Sequence, residues 1–256
     1  MITSKDNSRI KKAAQLGGSA RKRRETGLFV LEGSRLCGEA LRENLRVCEL
    51  FYTADAKQSH PELIAGLCEK AEFADEVSEA VFAKLSDTCS PQGVLLTAAF
   101  IRPLALPSSG RFIAFEQVSD PANLGAAART AEALGFAGLI LSRSGVDPFA
   151  PKPLRASMGA LLRLPLVYAD DFYGTLAGYQ ANGFTVNGTV VETDAQPLNS
   201  VSFGTNEIAV IGNEANGLTA GMRAQCDRLI TIPMPGRAES LNAAAAAAIV
   251  MWEMSR

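Results

Sequence analysis

Ile208-Ala209-Val210-Ile211 runs directly into Gly212-Asn213-Glu214-Ala215-Asn216-Gly217. Four apolar residues lead to a glycine, then to amide and carboxylate side chains, then to a second glycine. A strand that is apolar throughout, rather than alternating, is one covered on both faces, as in parallel α/β sheets. Ligands in such sheets bind beyond the C-terminal strand ends, and glycine lets backbone approach closely there. Two readings of 211–217 stand side by side: a strand end that holds a polar ligand, and a tight turn built from turn-forming residues.

Outward from this stretch, strands are predicted over 112–118, 139–141, 164–168, 184–187 and 229–232 as well as 208–211, with helices between several of them. The turn Ser119-Asp120-Pro121 leads into a helix over Ala122 to Leu134, with Asp120 and Asn123 as starting residues. The last helix reads from Ser240, as its cap, to about Met254. This pattern predicts a mostly parallel, covered α/β sheet. The first hundred residues also alternate, with helices over 6–16, 19–24, 61–70 and 78–85 and strands over 28–31, 47–52 and 93–99. Between the halves, Arg102-Pro103 to Gly110 contains Pro103, Pro107, Ser108 and Ser109, which interrupt both periodicities. The expected organisation is therefore a domain over 1–102, a linker over 103–110 and a domain over 111–256.

Composition narrows the chemistry. The 256 residues carry five cysteines, an odd number with no C-x-x-C pair, so a disulfide framework or zinc site is not expected and the thiols are read as buried and free. His60 is the single histidine and sits beside Pro61, which argues against a Ser-His-Asp triad or a multi-histidine metal site. No metal is expected. There is no run of about 18 apolar residues and no apolar stretch in the polar N-terminus, so the expected location is the cytoplasm. Net charge is −2, yet residues 1–24 hold eight basic side chains and one acid. Lys11, Lys12, Arg21, Lys22, Arg23 and Arg24 form the candidate polyanion-binding cluster. The competing reading is a solvated helical face.

Three segments carry the candidate chemistry. In Asp120 to Thr130, Gly125 and three alanines leave a helix face open to close approach, and Arg129 projects further along. Ile211 to Gly217 is the second. The third is Ile232-Pro-Met-Pro-Gly-Arg-Ala-Glu-Ser-Leu-Asn242, a loop ahead of an alanine-rich helix whose free N–H groups suit a ligand. No G-x-G-x-x-G and no G-x-x-x-x-G-K-[ST] occurs, which argues against a dinucleotide-binding enzyme and a P-loop NTPase.

Taken in order, Asn123/Gly125/Arg129, Ile211–Gly217 and Ile232–Asn242 resemble the three motifs of the SpoU/TrmH family of SPOUT RNA 2′-O-ribose methyltransferases. Asp147 to Ala160 is similar to the family's middle segment. Phe29–Gly33 and Ser86–Gly93 resemble the ribosomal-protein-like RNA-binding domain that precedes many such enzymes, the ribosomal RNA branch above all. The resemblance implies a C-terminal α/β domain with a deep trefoil knot, S-adenosylmethionine as cofactor, a homodimer and an RNA substrate, ribosomal or alternatively transfer RNA. It implies that Ile211, Gly212, Asn213, Glu214, Gly217, Ile232, Met234 and Leu241 hold the cofactor. Arg129, Asn123, Ser240 and Asn242 would be the catalytic residues, with Arg129 as a phosphate clamp and alkoxide stabiliser, since arginine stays protonated, or alternatively as the base. One departure is Ala244, where family members often carry serine. It is the support for the alternative, a non-catalytic RNA-binding or ribosome-assembly factor on the same scaffold.

Overall fold

The apolar segments pair into two separate sheets. The computed structural model describes residues 1–100, 106–192 and 194–256; the linker predicted over 103–110 falls partly on 101–105, outside the described residues. The chain divides into two compact units, one of Met1–Arg102 with Pro148–Arg163 and one of Pro103–Asp147 with Leu164–Arg256.

The first unit opens with helices α1 (Ser8–Gly18) and α2 (Ala20–Thr26). Asn7 Oδ1 accepts from the Arg9 N–H and Ser19 Oγ from the Lys22 N–H, so each helix begins just after its own cap. There follow β1 (Leu28–Glu32), α3 (Ser34–Arg42), β2 (Val47–Tyr52), α4 (Ala54–Ser59), α5 (Pro61–Lys70), β3 (Phe73–Glu76), α6 (Glu79–Leu85) and β4 (Val94–Ala99). The sheet order is β1-β4-β2-β3, with β4 antiparallel to both neighbours and β3 parallel to β2. Ile10 and Leu16 of α1 and Phe82 of α6 bury against Phe51 and Leu95 of the sheet.

The second unit starts with β5 (Arg111–Phe115), α7 (Pro121–Ala133) and β6 (Gly138–Ser142). The chain then contributes α8 (Pro151–Ala156) and α9 (Ala160–Arg163) to the first unit, where Phe149 packs 5.3 Å from Phe29 and Arg155 pairs with Asp87. It returns through β7 (Leu166–Ala169), α10 (Phe172–Ala181), β8 (Thr185–Thr189), β9 (Gln196–Pro197), β10 (Glu207–Ile211), α11 (Ala220–Gln225), β11 (Arg228–Thr231) and α12 (Ala243–Ser255). The seven strands lie in the order β7-β6-β5-β10-β8-β11-β9, and every neighbouring pair is parallel. Phe172 and Leu176 of α10 and Met222 of α11 join Phe112, Ile140, Val186 and Val210 in one core. α7 and α12 pack on each other, and α12 also touches β5 and β10. Ala127, Ala128 and Ala131 of α7 and Ala243 and Ala247 of α12 are buried, small side chains that permit this close pairing.

Three expectations change. The last helix begins at Ala243, not Ser240. Its cap is Asn242, whose Oδ1 accepts from the N–H groups of Ala244 and Ala245, and Ser240 stays in the exposed loop ahead of it. The thiols are free but not uniformly buried: Cys37 is buried, whereas Cys89 is exposed. Arg23 belongs to the interior, 4% exposed, because its guanidinium donates to the carbonyls of Leu16 and Gly17 at the end of α1.

Candidate active site

Three adjacent strands, β10, β8 and β11, end side by side, and the chain beyond each end helps to wall one cleft of about 400 Å³. Thr189 ends β8 and Val190–Glu192 follow it, Ile211 ends β10 and Gly212–Leu218 follow it, and Ile232, Met234 and Glu239–Leu241 follow β11. Ala243 and Ala246 of α12 close the floor. Ile211, Gly212, Asn213, Glu214, Gly217, Ile232, Met234 and Leu241 all line this cleft, and so does Ser240.

Glycine at 212 is a packing requirement. A Cβ there would sit 2.3 Å from the carbonyl carbon of Gly217 and 2.5 Å from the Leu218 nitrogen, both backbone atoms with nowhere to go. The loop is folded back on itself by reciprocal bonds between Asn213 and Gly217, 3.0 Å and 2.9 Å, and Gly217 takes the left-handed conformation with φ 63°. Asn213 stiffens it from inside. Its Oδ1 accepts from the N–H groups of Ala215 and Asn216, and its Nδ2 donates to the carbonyl of Gln117, a non-glycine residue at φ 55° beyond β5. A side-chain-bearing residue in that region stores strain, which clusters at functional sites.

Glu214 ties the β10 loop to the start of α7. One carboxylate oxygen accepts from the Ser119 N–H and hydroxyl, the other from the Asp120 N–H and from Asn123 Nδ2 at 2.9 Å. Burial alone raises its pKa, but the bonds from Asn123, Ser119 and Asp120 outweigh it and hold the carboxyl down to about 2 from an ordinary 4.5. Asn123, 6% exposed, passes the chain on, its Oδ1 accepting from Asn242 Nδ2 at 2.8 Å. Asn242 in turn caps α12. The Glu214–Asn123–Asn242 relay fixes the orientation of both amides and leaves Asn242 a second N–H for a bound group.

The structure therefore brings Asn123, Asn242 and Glu214 together and sets Ser240 on the cleft wall, but it does not bring Arg129 to them. Arg129, like Asn123 and Asn242, is not among the residues lining the cleft; it is exposed and among the described residues has no ion-pair or hydrogen-bond partner. It stands six residues beyond Asn123 on α7, about 9 Å along the helix axis. Of the N-terminal basic cluster, Arg24 makes no ion pair among the described residues and Lys12 acts on Glu49 only at longer range, while Arg21 and Lys22 pair with Glu25 and Lys11 with Asp6. Sequence reasoning missed Thr189, Val190, Glu192, Leu218 and Arg223 on the cleft wall. The rule that ligands sit past parallel strand ends pointed at 189–192; nothing local marked Arg223. It also missed Glu116, a buried carboxylate at the end of β5 that accepts from Tyr173 and from the N–H and hydroxyl of Thr219, bracing the far side of the loop.

A wholly parallel α/β unit with a polar, glycine-walled cleft at adjacent strand ends has the layout of a small-molecule-binding domain. The profile of the SpoU rRNA Methylase family matches residues 110–252, and that of the MRM3-like substrate binding domain matches residues 7–96. The chain belongs to the SpoU rRNA methylase family and is an RNA methyltransferase. It is 32% identical, over 100% of its length and 93% of the relative's, to the "Uncharacterized tRNA/rRNA methyltransferase slr1673" of Synechocystis sp.. It is 28% identical, over 99% and 98%, to the "23S rRNA (guanosine(2553)-2′-O)-methyltransferase RlmP" of Bacillus subtilis. Among solved structures it is similar to the AdoMet-bound rRNA methyltransferase from Sinorhizobium meliloti, with TM-score 0.86, 28% identity and coverage of 99% of this chain and 96% of that one. No helix among the described residues is long and apolar enough to cross a membrane, and no group of three or more potential metal ligands occurs among them.

Proposed function

We propose that this protein transfers the methyl group of S-adenosylmethionine to a ribose 2′-hydroxyl of ribosomal RNA. The observation that carries it is the Glu214–Asn123–Asn242 relay, which couples the walls of the cleft to the helix bearing Arg129. The names of RlmP and of the Sinorhizobium meliloti structure support the substrate and the cofactor.

The cleft fits the cofactor. Its volume is within the range of small-ligand sites, about 300–1,000 Å³. Val190, Ile211, Leu218, Ile232 and Leu241 give apolar walls for a purine, and Gly212 leaves backbone room that a Cβ would fill. Thr189 Oγ1, on the same wall, is buried without a hydrogen-bond partner among the described residues. When bound, the cofactor supplies an electrophilic methyl with its own leaving group. The chain supplies position and charge. Holding a ribose oxygen in line contributes up to about 7–11 kcal/mol, a task for Asn123, Asn242 and Ser240. Arg129 remains a cation and acts on the neighbouring phosphate and on the alkoxide charge that develops as the hydroxyl loses its proton.

The enzyme acts as a homodimer in this account. Ala245, Ile249 and Trp252 fall on one exposed stripe of α12, with Ile249 41% and Trp252 58% exposed, and Ala126, Arg129 and Ala133 are exposed on the α7 that packs beside it. A second copy covering this stripe brings Arg129 to the other copy's cleft, which explains its distance from its own. A trefoil knot is supported by strand order: β11 lies between β8 and β9, consecutive strands joined by only 190–195, so the chain leaving β11 must pass that connection. Residues 1–102, joined by 148–163, serve as the RNA-binding domain, with Lys11, Lys12, Arg21, Lys22 and Arg24 making salt-sensitive phosphate contacts, and the rest of 111–256 serves as the methyltransferase domain. The setting is the cytoplasm, in keeping with an RNA substrate and with the lack, among the described residues, of a helix able to cross a membrane.

Incubation of the protein with methyl-labelled S-adenosylmethionine and unmodified ribosomal or transfer RNA tests the assignment. Label in ribosomal RNA alone is expected; label confined to transfer RNA overturns the substrate, and failure to bind cofactor at all overturns the reaction.

A further inference from the structure

Of the residues lining the cleft, Glu192, Glu214 and Glu239 are acidic and Arg223 alone is a cation, among the described residues. Glu214 is spent: both its oxygens are occupied by Ser119, Asp120 and Asn123. Glu192 and Arg223 are different. They face each other as a two-pronged pair, Arg223 Nη1 on Glu192 Oε1 and Nη2 on Oε2 at 2.6 Å, and each is about one-third exposed, at 37% and 33%. A pair this open to water adds little to stability. It nevertheless presents one cation and one carboxylate, side by side, to the cleft.

Resting on the proposed cofactor, we infer that Glu192 and Arg223 read the amino-acid end of S-adenosylmethionine, Arg223 taking its carboxylate and Glu192 its ammonium. The cofactor has one anionic group, and Arg223 is its one complement on the cleft wall. The ammonium lies one carbon from that carboxylate, matching a carboxylate held beside a guanidinium. Binding exchanges one paired contact for a ring of four alternating charges, so neither partner is left desolvated and alone. The adenine and ribose then lie toward the apolar wall of Val190, Ile211, Leu218 and Ile232.

Two probes separate the ends of the ligand. S-adenosylhomocysteine carries the amino-acid end; 5′-methylthioadenosine keeps adenine, ribose and thioether without it. Calorimetry on the full chain is expected to give Arg223→Met at least a tenfold loss for S-adenosylhomocysteine, about 1.4 kcal/mol, and less than a twofold change for 5′-methylthioadenosine. Glu192→Gln should lose affinity for the first probe in the same selective way. Retained 5′-methylthioadenosine binding reports that the variant cleft is intact. Equal losses for both probes, or no loss for either, overturn the inference. Wild-type protein that binds neither probe overturns the cofactor assignment itself, a result distinct from failure of the pair.

Discussion

Replacing Gly212 by alanine tests the cleft at its tightest point. The added methyl would lie 2.3 Å from the Gly217 carbonyl carbon. To reach an ordinary carbon–carbon separation of ~3.5 Å the facing backbone must retreat by about 1 Å. The reciprocal bonds between Asn213 and Gly217, now 3.0 Å and 2.9 Å, would then stretch to roughly 4 Å, beyond hydrogen-bond range. Two such bonds are worth about 1 kcal/mol each, so the loop in its present form loses about 2 kcal/mol. If cofactor binds only that form, affinity falls about 30-fold. Titration calorimetry with S-adenosylhomocysteine reads this directly. Binding within twofold of wild type would mean either that the loop yields freely or that it is not part of the binding wall.

Four further outcomes follow from the same geometry. Asn242→Asp keeps the acceptor that caps α12 but removes the donor to Asn123; thermal stability should change little while kcat falls at least tenfold, and equal losses of both would contradict a positioning role. Glu214 has a depressed folded pKa, so its contribution is present above the unfolded value of 4.5 and is lost as pH falls toward about 2; Glu214→Gln should flatten stability against pH across that window, seen in denaturation at stepped pH. Arg23→Ala should cost about 2–3 kcal/mol because it strips a buried charge-assisted bond from α1, whereas Arg24→Ala should leave stability unchanged and reduce the salt dependence of RNA binding; the reverse pattern would overturn the assignment of both. Trp252→Glu should shift the protein to monomer in light scattering, and mixing Arg129→Ala with Gly212→Ala should restore, at low cofactor concentration, the activity that each has lost alone if Arg129 serves the other copy's cleft.

What was legible in the sequence had strong local causes. The continuous apolar runs at 208–211 and 139–141 fixed buried parallel strands, and Pro61 to Lys70 and Val47 to Tyr52 form one helix and one strand over those residues. β3 was not legible, because Phe73-Ala-Asp-Glu76 is an edge strand with no buried alternation, and β9 is two residues ending in proline. Ser240 and Asn242 are both good caps for α12 by residue type; the link to Asn123, 119 residues away, favours Asn242. The same holds for the site. Glycines and amides at 211–217 announce a loop, but the pairing of Glu192 with Arg223 joins residues whose neighbours carry no motif. The packing of 148–163 with the first unit is likewise a property of the fold, since the family profile runs through that segment without a break.

Alkaline hydrolysis of unmodified ribosomal RNA, after incubation with the protein and methyl-labelled S-adenosylmethionine, decides whether the methyl is carried to a ribose oxygen. A 2′-O-methyl group blocks cleavage at its own phosphodiester, so label is expected in an alkali-resistant dinucleotide, and is much reduced with Gly212→Ala at low cofactor concentration. Label released in mononucleotides would place the methyl on a base and contradict transfer to ribose.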